Sequence, residues 1–306
     1  MKIRKNETTA LALLSGGLDS ILAIKILQEQ CIKVTGISFV SYFFSSELGE
    51  KTAKQLKIKH KIFDFSDEHL DMVKNPPKGY GKAINPCIDC HILMLKKAKI
   101  VMEKEGFNLV VTGEVLGQRP MSQNMQALNL IEKESGLKGY LLRPLSAKLL
   151  EPTILEKEDV INRNMLLNIS GRSRKIQIDL AKKYGIKEYS TPAGGCCLTE
   201  KQFAVRFKNM LEYWPNCDGN DVKLLKLGRH FWERKQNLII VGRNERENEE
   251  INKLKQKKDV IIEPDGFPGP TILIRGKDKI LKESLLRAEE LMIKYSSKNK
   301  FTKAVP

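Results

Sequence analysis

The stretch Ala-Leu-Ala-Leu-Leu-Ser-Gly-Gly-Leu-Asp-Ser, residues 10–20, indicates the fold class of the chain. Its apolar half is typical of a buried strand, and the two glycines permit a tight turn into a helix that we predict over residues 18–30. A strand that enters a helix through so short a turn is the first part of a βαβ unit. The stretch therefore predicts a parallel sheet covered by helices.

The same alternation of strands and helices continues to about residue 190. We predict strands over residues 10–14, 34–40, 60–65, 109–112 and 140–142, and helices over residues 18–30, 47–56, 88–105, 157–164 and 173–184. This pattern predicts that residues 1–198 form an α/β domain with a doubly wound parallel sheet.

A second domain is predicted to follow. The run Pro-Ala-Gly-Gly-Cys-Cys, residues 192–197, interrupts the periodicity, and residues 199–306 then have their own spacing of elements. We predict strands over residues 222–227, 238–241, 260–262 and 271–274, and helices over residues 200–213, 245–257 and 279–295. This segment is predicted to be a smaller α+β domain.

The composition indicates a basic protein with a polyanionic partner. The chain has 306 residues, 53 Lys and Arg against 37 Asp and Glu, and a formal net charge of +16. Such an excess favours nucleic acid binding through counterion release, although a basic surface without a partner is the alternative. No apolar run approaches the roughly 20 residues that span a bilayer, and the N-terminus lacks the apolar core of a secretory signal. We therefore expect a cytoplasmic protein with no membrane role.

The turn after the first strand is suited to binding phosphate. Backbone N–H groups of residues 15–20 can approach an anion at the start of the helix, where the helix dipole favours negative charge. The P-loop of GTPases and kinases requires a lysine that this stretch lacks. A Gly-Gly turn with a purely structural role is the alternative.

The first pair of cysteines lies at a predicted helix start. Cys87 and Cys90 belong to Asn-Pro-Cys-Ile-Asp-Cys-His, residues 85–91, where we expect Asn85 to cap the helix and Pro86 to be its first residue. A helix N-terminus lowers the pKa of a thiol, so both cysteines are candidates for catalysis or metal binding. Inert buried thiols are the alternative.

Cys196 and Cys197 form a second pair in a glycine-rich loop, while Cys31 and Cys217 are isolated and are interpreted as structural. Three or four thiolates from the two pairs could hold a [4Fe–4S] cluster or Zn²⁺. They could equally carry a persulfide together with the thiol that resolves it.

Residues 15–20 resemble the PP-loop of the ATP pyrophosphatase superfamily, whose sheet is of the HUP-like type. The resemblance implies cleavage of ATP to AMP and pyrophosphate, with Asp19 helping to hold Mg²⁺. It assigns the binding of pyrophosphate to Ser15, Gly16, Gly17 and Ser20.

Segments further along the chain are similar to those of tRNA 4-thiouridine synthetases. These segments are residues 112–118, 122–123, 142–145 and the Cys196-Cys197 pair, one of whose cysteines would receive sulfur as a persulfide. From this resemblance we assign further nucleotide-binding roles to Phe39, Gly113, Gln118 and Arg143. Residues 85–90 instead resemble tRNA 2-thiouridylases, in which the last cysteine of the motif, here Cys90, is catalytic.

Two departures from the 4-thiouridine synthetases change the expected chemistry. Few residues precede the loop, where those enzymes have an RNA-binding domain, and no rhodanese-like domain follows to carry a persulfide. The first cysteine pair is similar to that of iron–sulfur-dependent members of the superfamily. We therefore expect a [4Fe–4S] cluster bound by three of Cys87, Cys90, Cys196 and Cys197, with direct persulfide chemistry as the alternative. Sulfur would come from sulfide or from the persulfide of a cysteine desulfurase.

RNA capture is expected in the second domain. Residues 237–275 are loosely similar to the NFACT-R domain, which is associated with RNA. Residues 223–235 interleave basic side chains with Phe231 and Trp232, which suits phosphate contacts beside a stacking surface. A strand whose aromatic side chains face the core is the alternative.

These features together favour a tRNA sulfurtransferase that adenylates a uridine and inserts sulfur, with 4-thiouridine at tRNA position 8 as the favoured product. The alternatives are a tRNA 2-thiouridylase, a PP-loop ligase or amidotransferase that adenylates a small molecule, and an RNA-binding module whose nucleotide site is a relic. Whether the chain forms a homodimer is open.

Overall fold

The computed structural model describes residues 8–190 and 195–296. The chain divides into two units, residues 1–197 and residues 198–306. In the described parts of both units, no helix is long and apolar enough to cross a membrane.

A five-stranded parallel sheet forms the centre of the first unit, with the strand order β3-β2-β1-β4-β5. Its strands are β1 (Thr9–Leu13), β2 (Lys33–Val40), β3 (Lys59–Asp64), β4 (Leu109–Val111) and β5 (Leu141–Leu142). Its helices are α1 (Leu18–Gln28), α2 (Glu47–Leu56), α3 (Ser66–Lys74), α4 (Cys87–Glu105), α5 (Met125–Ser135), α6 (Ile154–Lys157) and α7 (Lys175–Lys183). The strand order reverses between β1 and β4. In open α/β sheets a crevice forms at the carboxyl ends of the strands on either side of such a reversal.

The side chains of β1 point alternately into two cores. Ala10 and Ala12 pack with α1 on one face of the sheet. Leu11 points to the opposite face and belongs to the same core as Leu95 of α4. Helices therefore cover both faces, and the predicted doubly wound α/β sheet is confirmed.

A four-stranded antiparallel sheet forms the second unit, with the strand order β6-β7-β9-β8. Its strands are β6 (Arg229–Glu233), β7 (Asn237–Val241), β8 (Val260–Ile262) and β9 (Ile272–Gly276). Its helices are α8 (Lys201–Tyr213), α9 (Gly219–Leu224), α10 (Glu245–Lys253) and α11 (Lys282–Tyr295). Ala288 and Leu291 of α11 pack against Ile239 and Ile274 of the sheet. The predicted smaller α+β domain is confirmed.

The strand predicted over residues 222–227 is wrong, because a helix cap precedes it. The Asp218 side chain accepts from the backbone N–H of Asp221, and the Asp221 side chain accepts from the backbone N–H of Asp218. This reciprocal pair of hydrogen bonds starts α9.

The helix predicted over residues 157–164 is wrong for a similar reason. Thr153 and Glu156 form the same capping motif, so the helix starts earlier than predicted. Asp159 has a left-handed φ of 57°, which a continuing helix does not permit. Three further elements, α3, α5 and β6, are not among those predicted from the sequence.

Candidate functional site

The turn of residues 15–20 lies at the carboxyl end of β1, and the segment after β4 packs against it. A Cβ atom on Gly113 would lie 2.5 Å from the backbone nitrogen of Ser20, so only glycine permits this approach. Gly16 has a φ of +76°, and a Cβ atom there would lie 2.6 Å from the Cβ of Leu48. Glycine is therefore required at position 113 for the segment after β4 to pack on the turn, and at position 16 for α2 to pack on it.

Two serine side chains form hydrogen bonds within the turn, and a helix begins at its end. The hydroxyl of Ser20 donates to the carbonyl of Gly17 over 2.8 Å, and the hydroxyl of Ser15 accepts from the N–H of Gly17 over 3.4 Å. Gly17 directly precedes α1, which has 11 residues. The positive end of the dipole of α1 therefore points at this turn.

Asp19, in the first turn of α1, contacts side chains from two distant segments. Gln118 Nε2 donates to Asp19 Oδ2 over 2.8 Å, and a guanidinium nitrogen of Arg174 lies 3.9 Å from the same oxygen. Gln177 Nε2 donates in turn to Gln118 Oε1 over 3.2 Å. The structure thus brings Gln118 and Gln177 to the loop, together with Arg174, which belongs to a helix-start cluster over residues 171–175 that the sequence offers as a phosphate clamp.

Three buried polar atoms of this cluster have no hydrogen-bond partner among the described residues: Asp19 Oδ1, Arg174 Nε and Gln177 Oε1. Buried polar atoms in proteins are nearly always hydrogen-bonded, so a group of unpaired ones indicates a site that another molecule completes. A phosphate ester with Mg²⁺ fits this set. Asp19 offers the oxygen ligand that Mg²⁺ prefers, and Arg174 offers a cation to phosphate.

Two cysteines of the first unit, Cys87 and Cys196, act electrostatically on a third, Cys90. Burial raises the pKa of the Cys90 thiol, and the negative charges of Cys196 and Cys87 raise it further. The expectation that the helix N-terminus lowers the pKa is therefore wrong for Cys90. Desolvation of its thiol is the largest cause of the raised pKa.

The start of α4 also differs from the predicted cap. The helix begins at Cys87, Pro86 is the residue before it, and no side chain caps it. Asn85 instead donates from Nδ2 to Cys87 Sγ over 3.1 Å and accepts from the N–H of Ala83 over 3.2 Å. The amide of Asn85 therefore orients a thiol.

The chain around the second cysteine pair is attached at two points. The N–H of Ser190 donates to the carbonyl of Gly16 over 3.1 Å, and the N–H of Cys197 donates to the carbonyl of Phe43 over 3.1 Å. Of the two cysteines, Cys196 is the one whose charge acts on Cys90. Residues 191–194, part of the run that interrupts the sequence periodicity, lie outside the described residues.

His69 is buried and uses both ring nitrogens. Its Nε2 lies 3.2 Å from Cys90 Sγ, and its Nδ1 lies 2.6 Å from Ser41 Oγ. The ring stacks on Phe65 with 4.8 Å between centroids. Burial lowers the pKa of His69 to about 4, so the ring is neutral near pH 7. His69 therefore holds Cys90 in place from the side of α3.

Glu114 connects the segment after β4 with α4. Its Oε2 accepts from Arg143 Nε and from the hydroxyl of Thr112, each over 3.0 Å, and its Oε1 lies 2.8 Å from His91 Nδ1. Burial opposes ionisation of Glu114, yet Arg143 and His91 hold its pKa well below the usual range. The carboxylate is therefore a permanently charged acceptor.

Arg143 has a different role from the predicted one. It is 3% exposed. Besides its bond to Glu114, it donates to Glu132 Oε2 over 2.9 Å and to the carbonyl of Leu128 over 3.2 Å. The resemblance implies a contact with the nucleotide. The structure instead uses Arg143 to fix Glu114.

Phe39 likewise lies in the core. Its ring centroid is 5.7 Å from that of Phe63 and 5.2 Å from that of Phe65. The side chain is 6% exposed and packs in the core that α4 covers. The Phe39 side chain therefore packs in the core, and the assignment of Phe39 to the nucleotide site stays a prediction.

The sequence analysis assigns no role to His69, His91 or Glu114. A signal exists for two of them, since Glu114 follows a buried strand at the crevice and His91 directly follows Cys90. No local signal exists for His69, because its contact with Cys90 requires α3 to pack beside α4.

Across residues 8–190 and 195–296, no group of three or more His, Cys, Asp or Glu side chains is arranged to hold a metal ion. The proximity of Cys87 and Cys196 to Cys90 is inferred from the charge effects of these two thiols on Cys90. Three thiol donors are nevertheless the ligand type that iron–sulfur clusters use. In donor chemistry, the residues fit such a group.

Two family models match the chain. The model described as thiamine biosynthesis protein (ThiI) matches residues 6–166, more than half of the chain. The model described as NFACT protein RNA binding domain matches residues 228–305. The first match includes the loop, the first cysteine pair and Glu114, and the second includes the antiparallel sheet.

Individual proteins are similar to parts of the chain. A probable tRNA sulfurtransferase of Thermococcus kodakarensis is 26% identical over 185 residues, which cover 59% of this chain and 42% of that protein. The tRNA-specific 2-thiouridylase MnmA of Syntrophomonas wolfei is 34% identical over 85 residues, which cover 26% of this chain and 25% of that protein. The chain thus spans less than half the length of these curated relatives.

A solved structure of a 4-thiouridine synthetase–RNA complex with bound ATP is also similar. Its TM-score is 0.38 with 20% sequence identity, and the match covers 56% of this chain and 50% of that one.

Proposed function

This chain belongs to the thiamine biosynthesis protein (ThiI) family, and we propose that it is an ATP-dependent tRNA sulfurtransferase. An oxygen of a uridine attacks the α-phosphate of ATP and pyrophosphate leaves; sulfur then displaces AMP to give a thiouridine. We favour 4-thiouridine at tRNA position 8. The names of the relatives support this proposal.

One series of contacts carries the proposal. Gly113 packs on the loop, and its neighbour Glu114 binds His91. His91 directly follows Cys90, whose thiol interacts with Cys196. A phosphate-binding turn and a set of thiols therefore belong to one continuous cluster, as a reaction that joins adenylation to sulfur transfer requires.

For adenylation, we propose that residues 15–20 hold the pyrophosphate and that Asp19 Oδ1 binds Mg²⁺. Arg174 would then turn its unpaired Nε to a phosphate oxygen. Backbone N–H groups, one cation and the metal ion would together neutralise the charge that develops on the leaving pyrophosphate.

For sulfur transfer, we propose that Cys87, Cys90 and Cys196 bind a [4Fe–4S] cluster. With three protein ligands, one iron would stay open to hold the sulfide that reacts. Asn85 and His69 orient two of the ligand thiols. Direct persulfide chemistry on Cys196 is the alternative, and Cys90 would then be the resolving thiol. Iron-free protein that thiolates tRNA when a cysteine desulfurase supplies persulfide sulfur, but not when sulfide alone is supplied, would decide for the persulfide.

For substrate capture, we propose that the second unit binds tRNA. The match to the NFACT protein RNA binding domain supports this assignment, as does the formal net charge of +16 of the whole chain. The aromatic side chains of β6 are not the proposed stacking surface. Trp232 packs against Tyr213 and Trp214, and Phe231 packs against the core.

The test is thiolation of an unmodified tRNA transcript by the anaerobically purified full chain with ATP, Mg²⁺ and sulfide. AMP is quantified, and nucleosides are identified by chromatography and mass spectrometry, which separate 4-thiouridine from 2-thiouridine. We expect AMP and thionucleoside to form together. AMP release without a thionucleoside would contradict the proposal. AMP release that does not depend on tRNA would favour a ligase acting on a small molecule.

Three variants separate the two half-reactions. Asp19→Asn should abolish both products, whereas Cys196→Ser should stop thiolation and spare AMP formation. Cys31→Ser is the matched control, because Cys31 is an exposed cysteine of the same unit. It should behave like the unchanged chain.

A further inference from the structure

His91 has one ring nitrogen held by the fold and one that is open. Its Nδ1 lies 2.8 Å from Glu114 Oε1, while its Nε2 has no hydrogen-bond partner among the described residues. His91 keeps 24% of its side chain exposed. His69, on the other side of Cys90, is fully buried and uses both nitrogens. Of these two histidines, only His91 has a ring atom available to a ligand.

Glu114 determines which ring atom that is. Because Glu114 is ionised and can only accept, the hydrogen between it and His91 belongs to Nδ1. In the neutral ring, Nε2 then carries a lone pair and acts as an acceptor. Thr112 and Arg143 occupy the other oxygen of Glu114, so the carboxylate cannot turn away from His91.

The position of His91 suits contact with the reacting base. Gly113 packs on the loop, its neighbour Glu114 binds His91, and Cys90 directly precedes His91 in the chain. A base whose oxygen is first adenylated at the loop and then attacked by sulfur near Cys90 must lie beside this ring.

We propose that His91 Nε2 accepts a hydrogen bond from the imide N3–H of the target uridine. This inference rests on the proposed function. N3 lies between O2 and O4 of uracil, so the contact serves either thiolation. Cytosine has an unprotonated N3 that faces an acceptor with its own lone pair, and a site that hydrogen-bonds an N–H group rejects a base lacking it. His91 is therefore a specificity-determining residue for uridine.

The test compares binding of tRNA transcripts that differ only at the target nucleotide, located first by mass spectrometry of the wild-type reaction. The competing transcripts carry uridine, cytidine or N3-methyluridine there, and binding is measured with a non-hydrolysable ATP analogue and no sulfur donor. For the unchanged chain, we expect the uridine transcript to bind about tenfold more tightly than either other transcript, as one hydrogen bond with its partner left unpaired implies.

In His91→Ala, the three transcripts should bind equally, with the uridine transcript weakened to the level of the others. A merely structural role would weaken all three alike and keep the tenfold ratio, and that result would overturn the inference. If His91→Ala does not fold, the same ratio of transcript affinities is measured for His91→Leu instead. Lys104→Ala, an exposed position of the same helix, is the matched control.

The two levels of proposal fail in different ways. If the unchanged chain makes no thionucleoside, the proposed function fails. If it thiolates tRNA but shows no preference between uridine and N3-methyluridine, the inference about His91 fails alone.

Discussion

Each unit of the chain encloses a buried arginine, and the two arginines differ in what their partners do. Arg275 in the second unit is 4% exposed and Arg143 in the first is 3% exposed. Arg275 donates to four groups: Asp259, Asp221, Asn220 and the carbonyl of Leu254. These partners all belong to the second unit, and the carboxylates of Asp259 and Asp221 are both largely buried.

The network of Arg143 continues to the surface. Arg143 binds Glu114, Glu114 binds His91, and His91 is partly exposed with an open ring nitrogen. A buried ionic network therefore does not by itself indicate a functional site. What distinguishes the first unit is a network that ends in an accessible, oriented and unpaired atom.

The largest effect is expected from Arg143→Met. Removing the guanidinium leaves Glu114 buried without its main counter-charge, which should destabilise the first unit by about 3–5 kcal/mol. It should also lower the thiolation rate per folded molecule by about 10–100-fold, because His91 loses its fixed acceptor. Unfolding is followed by circular dichroism in denaturant. Lys99→Met, which removes the exposed pair with Glu103, is the control, and an equally small effect of both changes would contradict the prediction.

Arg275→Met should affect stability alone. Leaving Asp259 and Asp221 unpaired should destabilise the second unit by about 3–5 kcal/mol. Both tryptophans, Trp214 and Trp232, belong to this unit, so tryptophan fluorescence reports its unfolding selectively.

The matched control is Arg287→Met, which removes an exposed pair with Glu290 and should cost at most about 1 kcal/mol. If Arg275→Met abolishes the preference for uridine over N3-methyluridine, the claim that Arg275 serves stability alone is contradicted.

Acid should destabilise the second unit through His230. Burial, followed by the charge of Arg206, lowers the pKa of His230 to about 3. Between that value and the usual 6.5, the unfolded chain binds a proton that the folded unit does not, so stability falls as the pH decreases. At pH 5 the loss should be roughly 2 kcal/mol relative to neutral pH. His230→Leu should remove this part of the pH dependence of the tryptophan unfolding signal; an unchanged slope would assign it to another group.

The smallest effect is expected from Asp218→Ala. The change removes the cap of α9 and should cost about 1 kcal/mol. Because Asp221 takes part in both the cap and the Arg275 network, the losses in Asp218→Ala and Arg275→Met should not add in the double variant. Strict additivity in tryptophan-monitored unfolding would show that the cap and the network are independent.

The sequence predicts the parallel sheet and its loop well because both depend on local patterns. The strand at residues 10–14 and the two glycines that follow need no knowledge of distant residues. The role of Arg143 could not be predicted in the same way, since an arginine after a strand gives no sign that a helix supplies Glu132 to enclose it.

The other parts of the site that the sequence does not predict are pairs of residues that meet only in the folded chain. Cys90 and Cys196 are far apart in sequence, and nothing local in the sequence indicates that Cys196 acts electrostatically on Cys90. The wrong strand at residues 222–227 is different, because its cause is local. Two aspartates three residues apart, Asp218 and Asp221, mark a helix start in the sequence itself.

The hydrogen bond between Ser190 and Gly16 limits how far sulfur can be from phosphate. Only six residue steps separate Ser190 from Cys196, and six extended residues span at most roughly 20 Å. On the proposed mechanism, the thiol is tethered to the loop that holds the nucleotide, so its effective concentration there stays in the range of about millimolar or above. The adenylated base, which water would otherwise hydrolyse, can then react with this sulfur without waiting for a sulfur donor to diffuse into the site.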